Sequence, residues 1–147
     1  MDTAFEWIAQ GNSLELESTY PYTSGRGQRG SCKQNKSKGV GTVSGHHDVS
    51  QGSASQMRAA LNGQPVSVAI EADQMAFQSY TSGVITTGCG QQLDHGVLAV
   101  GYGTLNGSDF VLVKNSWGAG WGDNGYVRIG TANNSCGVLN AASYPKA

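Results

Sequence analysis

Four short apolar segments separated by glycine-rich connections set the strongest limit on what this chain can become. VSVAIEA (Val66 to Ala72) alternates apolar and polar residues in the manner of a half-buried strand, and HGVLAVGYG, DFVLVKNS and GYVRIG follow as three further strand candidates. With 22 glycines against three prolines, the connections favour tight turns and close backbone approaches over a helical bundle. A twisted antiparallel sheet or half-open barrel is the expected architecture for this part of the chain.

Helical patterning is confined to short pieces. MDTAFEWIAQGN reads as an amphipathic helix with Asp2 as N-cap, Phe5, Ile8 and Ala9 on one face, and Gly11-Asn12 as the stop. A second helix is expected from about Ser53 to Leu61, capped by Ser53 and closed by Asn62-Gly63 with Pro65 beyond. MAFQSY has room for one helical turn. Ser18 to Lys38, rich in Gly, Ser and basic residues, reads as surface loop with little fixed structure of its own. The chain therefore divides into residues 1–45 and a β-rich unit, residues 46–147, giving an α+β chain of 147 residues.

Composition removes several classes of partner. A net charge of −1 with 13% charged residues gives no electrostatic case for nucleic acid or an anionic membrane. No run of 18 apolar residues is present, and the opening residues carry no basic stretch followed by an apolar one. GRGQRG, Gly25 to Gly30, has the spacing of a dinucleotide fingerprint, but no strand precedes it and no helix follows, so it reads as a loop. His46-His47 lacks a third ligand at useful spacing, so it reads as solvated surface rather than as a metal site. No GxSxG elbow occurs, and Ser116, next to Asn115 on a strand, should face away from it.

Chemistry concentrates on His95. A lone histidine beside an apolar run is usually structural; the segment KNSWGAGWG changes that reading. Asn115 stands at the end of a strand able to lie beside the one starting at His95. Its amide can accept an imidazole N–H and fix ring orientation and tautomer, as the third member of a nucleophile–base–orienter set does. Trp117 could shield that hydrogen bond from water. Trp121 serves equally as core or as site.

These segments, LDHGVLAVGYG and VLVKNSWGAGWGDNGYVRIG, resemble the histidine and asparagine motifs of the papain-like cysteine proteases, the cathepsin-L-like branch in particular. MDTAFEWI, YPY at Tyr20 to Tyr22, GQPVSVAIEA and the tail CGVLNAASYP resemble the same branch, in family order along nearly the whole chain. The resemblance implies an incomplete papain-like fold: a right-hand β-rich domain carrying histidine and asparagine, and a remnant of the helical left-hand domain. It implies that His95 is the catalytic acid–base and Asn115 its orienter, with Trp117 and Trp121 supporting the site at the primed side of the cleft. It places Ala69, Leu93, Gly96 and Ala141 in the S2 pocket, with Met1 helping to line it and Asp94 at the cleft edge, which implies an apolar P2 preference. It pairs Cys89 with Cys136, and gives Cys32 a partner earlier than Met1. No metal or organic cofactor is implied.

The departure from the pattern is as informative. The nucleophilic cysteine, the oxyanion-hole glutamine and a substrate-binding Gly-Gly all belong before Met1 in this family, and none of the three cysteines here is followed by the expected Trp. Met1-Asp2 matches an internal pair of the pattern. The expectation is a cysteine endopeptidase whose N-terminal half is supplied elsewhere, as part of the same gene product or as a separate chain, with polypeptides as substrates and with these residues inactive alone. The rival is a non-catalytic relative serving as a binding or structural protein. Sequons at Asn35, Asn106 and Asn133 fit a lysosomal, vacuolar or extracellular location.

Overall fold

The computed structural model describes residues 1–147 and divides them into two compact units, Met1 with His47–Tyr144, and Asp2–His46 with Pro145–Ala147. In chain order the strands are β1 (Gly45–Asp48), β2 (Val66–Ile70), β3 (His95–Leu105), β4 (Ser108–Lys114), β5 (Tyr126–Gly130) and β6 (Ala142–Lys146). The helices are α1 (Asp2–Ala9), α2 (Ala54–Leu61) and the single turn α3 (Met75–Gln78). The strands form one sheet in the order β1-β6-β2-β3-β4-β5. The pairings of β2 with β3 and β6, of β3 with β4, and of β4 with β5 are all antiparallel. Helices in short pieces beside one antiparallel sheet make the α+β chain that was expected.

In the larger unit, alternation does what the sequence promised. Val66, Val68 and Ile70 of β2 are fully buried, while Ser67 and Ala69 between them are half-buried. Val111 and Val113 of β4 join Val127 and Ile129 of β5 on the same core, and α2 adds Met57, also fully buried. Ser53 caps α2 as expected, its side chain accepting from Gln56 N. A β-bulge between Ala99 and Gly101 interrupts the β3–β4 register and leaves the hairpin beyond it correctly paired down to Leu105 and Ser108.

Two strands, β1 and β6, escaped the sequence reading. GHHD is short and polar, and ASYPK carries a proline, so neither shows the alternation that marks a strand. In the smaller unit Asp2 begins α1 as its first helical residue rather than standing before it as cap. The segment Ser18 to Lys38, expected to lack fixed structure, is tethered by several bonds. Glu17 accepts from Tyr22 N at 2.9 Å, Tyr20 Oη accepts from Lys33 N at 3.0 Å, and Glu15 accepts from Asn35 N at 2.6 Å. Apart from a 3-10 turn at Lys36–Lys38, the segment has no regular structure, and side-chain acceptors take up backbone N–H groups that a loop must otherwise leave to water. His46 is half-buried beside Phe5, at 6.2 Å between ring centroids, rather than fully solvated.

Candidate active site

β3 opens at His95 and β4 ends at Lys114, so antiparallel pairing brings the residue after β4 to the start of β3. His95 Nε2 and Asn115 Oδ1 are 2.9 Å apart. The same oxygen accepts from Ser116 N at 2.8 Å. A backbone N–H is always a donor, so this second bond fixes which end of the carboxamide is oxygen, and Nε2 must carry the proton it shares with Asn115. The other ring nitrogen, Nδ1, is left with its lone pair. Asn115 is only 7% exposed; its backbone N donates to Gly125 O at 2.9 Å, while its side-chain Nδ2 is buried without a partner. That orphan donor is a local cost of about 1–3 kcal/mol, which the fold tolerates where the oxygen is wanted.

An aromatic cluster encloses the pair. The Trp117 ring lies 5.2 Å from that of His95, tilted by 34°, and Trp121 meets Trp117 edge-on at 5.2 Å. Phe77 of α3 is completely buried beneath them, 6.3 Å from His95, 5.4 Å from Trp117 and 4.9 Å from Trp121. Trp121 donates its indole N–H to Gln78 O at 3.0 Å, and Tyr80 lies 6.0 Å from its ring. Trp117 itself remains 40% exposed, so its ring meets His95 on one side and solvent on the other. Phe77, Gln78 and Tyr80 were missed in the sequence, where MAFQSY showed only one helical turn.

The loop before His95 is clasped to the end of β2. Asp94 N donates to Ile70 O at 3.0 Å, and the Asp94 carboxylate accepts from Ala72 N at 2.8 Å. In the opposite direction Glu71, 5% exposed, accepts from Gln92 N at 3.0 Å and from Gln74 Nε2 at 3.1 Å. A Cβ at Gly90 would overlap the Glu71 carboxylate, so any other residue there must push that side chain aside. Ala69 pairs with Gly96 across β2 and β3 and donates its N–H to Ala141 O at 3.0 Å, which gathers three of the four apolar positions singled out for a pocket. Leu93, the fourth, is 38% exposed, and Met1 is 41% exposed. Ser116 is exposed and its side chain takes no part in the pair.

The cysteines fall as expected in one respect. Cys89 and Cys136 form a disulfide, and Cys32, in the smaller unit, is free and exposed. No thiol of the larger unit is therefore available beside His95.

Comparison with known proteins gives a consistent set of matches. A family model described as papain family cysteine protease matches residues 1–146. The chain is 46% identical to the probable cysteine protease RD21B of Arabidopsis thaliana over 99% of its own length and 32% of that protein. It is 43% identical to the cysteine protease XCP2 of the same plant, over 99% of this chain and 41% of that one. Among solved structures, digestive procathepsin L2 of Tenebrio molitor superposes with a TM-score of 0.91 at 38% identity, covering 100% of this chain and 47% of the other. Bromelain protease of Ananas comosus, in complex with the E64 inhibitor, gives 0.87 at 36% identity, covering 99% and 68%. The chain thus spans 32% and 41% of the length of these two curated relatives.

Proposed function

This chain belongs to the papain family of cysteine proteases, and from that premise we propose that it carries the acid–base half of a peptide-cleaving site. The observation that carries the reading is the His95–Asn115 bond with its polarity fixed by Ser116 N. Asn115 holds Nε2–H and thereby turns Nδ1 outward as the nitrogen that exchanges protons. In the assembled enzyme a cysteine thiol from outside these 147 residues gives its proton to Nδ1 and its sulfur attacks the scissile carbonyl. Nδ1 returns the proton to the leaving amine, and the acyl-enzyme is then hydrolysed with the imidazole as base. Trp117 keeps water from competing for Asn115 Oδ1.

Residues 46–147 act in this reading as the domain that carries histidine and asparagine, and residues 1–45 as part of the other. Ala69, Leu93, Gly96 and Ala141, with Met1, line a pocket for an apolar P2 side chain, and no charged group among them would pair with a basic one. Asp94, its carboxylate occupied by Ala72 N, meets substrate through its backbone at the cleft edge. Trp121 borders the primed side. The Cys89–Cys136 disulfide favours an oxidising route, to a vacuole, lysosome or the outside of the cell.

The test has two arms, both using a fluorogenic Phe-Arg peptide with thiol reductant. The purified chain alone should give no hydrolysis. Joined behind the N-terminal part of the RD21B mature domain, which replaces what the chain does not contain, it should hydrolyse the peptide and lose that activity on His95→Ala. Hydrolysis by the chain alone that vanishes on His95→Ala would place the nucleophile within it, and a folded but inert chimera would favour a non-catalytic relative.

A further inference from the structure

One sequence motif is left over by the proteolytic reading: three Asn-X-Ser triplets, at Asn35, Asn106 and Asn133. The fold treats them differently. Asn106-Gly107 is the two-residue turn that joins β3 to β4, between the last paired residues Leu105 and Ser108. Both turn residues have positive φ, 50° and 79°, the type I′ geometry that matches the twist of a hairpin. Asn106 is therefore a tip residue, exposed, with a carboxamide that makes no hydrogen bond, and Ser108 beside it is partly exposed.

The other two triplets are engaged. At Asn133-Asn134-Ser135 the serine is 5% exposed, next to the buried disulfide residue Cys136. Asn134 between them bonds Leu139 N at 2.8 Å and Asn140 Oδ1 at 2.7 Å. At Asn35 the side-chain oxygen accepts from both Ser37 N and Ser37 Oγ, at 3.0 and 2.8 Å. A transferase that must take asparagine and hydroxyl together has to break these contacts at Asn35 and unfold the loop at Asn133. At Asn106 it has only a hairpin tip to bind.

We propose that Asn106 is the site at which this protein carries an N-linked glycan. Asn106 Nδ2 attacks the anomeric carbon of an oligosaccharide linked through pyrophosphate to a polyprenyl lipid. The new bond is C–N, the bond broken is C–O to the pyrophosphate, the lipid pyrophosphate is the leaving group, and the amide proton passes to the transferase base. The glycan ends far from the histidine. β3 spans 11 residues from His95 to Leu105, roughly 30 Å at about 3.3 Å per residue, so the sugar projects from the end of the strand opposite to the site and leaves the cleft open.

The test reads mass and so stands or falls independently of peptidase activity. The chain is secreted from insect cells behind a cleavable signal, digested with peptide N-glycosidase, which converts a glycosylated asparagine to aspartate, and mapped by tandem mass spectrometry. Aspartate at position 106 is expected. Asn106→Gln should remove that glycan, and because Gln fits poorly at positive φ, Ser108→Ala provides a second variant that leaves the turn residues in place and should remove it equally. Secreted chain that carries glycan at Asn35 or Asn133 but none at Asn106 would overturn the proposal, and so would wholly unmodified chain from cells that glycosylate a control protein.

Discussion

Phe77 gives the sharpest link between core and site, and its replacement by alanine tests that link. The side chain is fully buried and touches His95, Trp117 and Trp121, so Phe77→Ala opens a cavity beneath the three rings that the site depends on. Phenylalanine-to-alanine changes in cores cost about 3–5 kcal/mol. Each lost aromatic contact adds about 0.5–1.5 kcal/mol beyond area alone, which argues for the upper part of that range. Phe77→Leu keeps most of the volume but loses the ring, and should cost about 1–2 kcal/mol. Against a total stability of about 5–15 kcal/mol, the alanine variant loses roughly a quarter or more of what holds the domain together. Urea unfolding followed by tryptophan fluorescence reads both effects at once. At a slope of roughly 2 kcal/mol per molar urea, the midpoint should fall by about 2 M for alanine and by under about 1 M for leucine. The native emission should also shift red as Trp117 and Trp121 lose their floor. Equal midpoints for all three proteins, or a leucine variant weaker than the alanine variant, would refute the assignment of Phe77 as the support of the site.

Three further outcomes follow from other parts of the fold. Reducing the Cys89–Cys136 disulfide, which closes a loop with a separation of 47 residues, should destabilise the chain by about 4 kcal/mol from loop entropy, checked by urea midpoints with and without dithiothreitol. Gly90→Ala should displace Glu71 and release the loop before His95, increasing amide exchange at Gln92 N; unchanged exchange there would show that the loop is held by other means. Asp109 is held below its ordinary 3.8 by the Thr104 hydroxyl and then by Arg58, so its contribution is present above about pH 4 and is lost as pH falls through the lower folded value. Asp109→Asn should therefore narrow the stability difference from the parent as the pH is lowered below 4, and a difference independent of pH would argue against the pairing.

The parts of this chain that could be read in advance share one property: their structural role is written in residues close together in sequence. β2 announces itself by alternation, β3 to β5 as short apolar segments between glycine-rich connections, α2 by its cap, and the site by the histidine and the asparagine–tryptophan segment at strand ends. What could not be read depends on neighbours brought in from far away. β6 becomes a strand because β2 pairs with it at Ser67–Ser143 and Val68–Ala142, a partnership that no pattern within ASYPK foretells. Phe77 belongs to a four-residue turn too short to carry a periodic signal, and its burial follows from β3 and the Trp-bearing loop closing over it.

Glu71 shows how local patterning can point the wrong way and still leave a trace. Val66, Val68 and Ile70 face the core, so alternation sends Glu71 outward with Ser67 and Ala69, where a carboxylate would be solvated. It is nevertheless 95% covered, because the loop from Gly90 to Asp94 folds across that face. Burying a carboxylate with no cation beside it is favourable only where hydrogen bonds replace water, and Gln92 N and Gln74 Nε2 supply two. Asp94 repays the contact in reverse, reaching from the loop to Ala72 N. Two acidic residues thus cross between the end of β2 and the loop, Glu71 accepting from Gln92 N and Asp94 from Ala72 N, and the residue that this crossing delivers to the start of β3 is His95. His95 is set in place by its own strand pairing with Ile70 on one side and by this carboxylate clasp on the other, which is why Glu71→Ala should disturb His95 more than its distance along the chain suggests, while Glu71→Gln, which retains an acceptor for Gln92 N, should largely spare it.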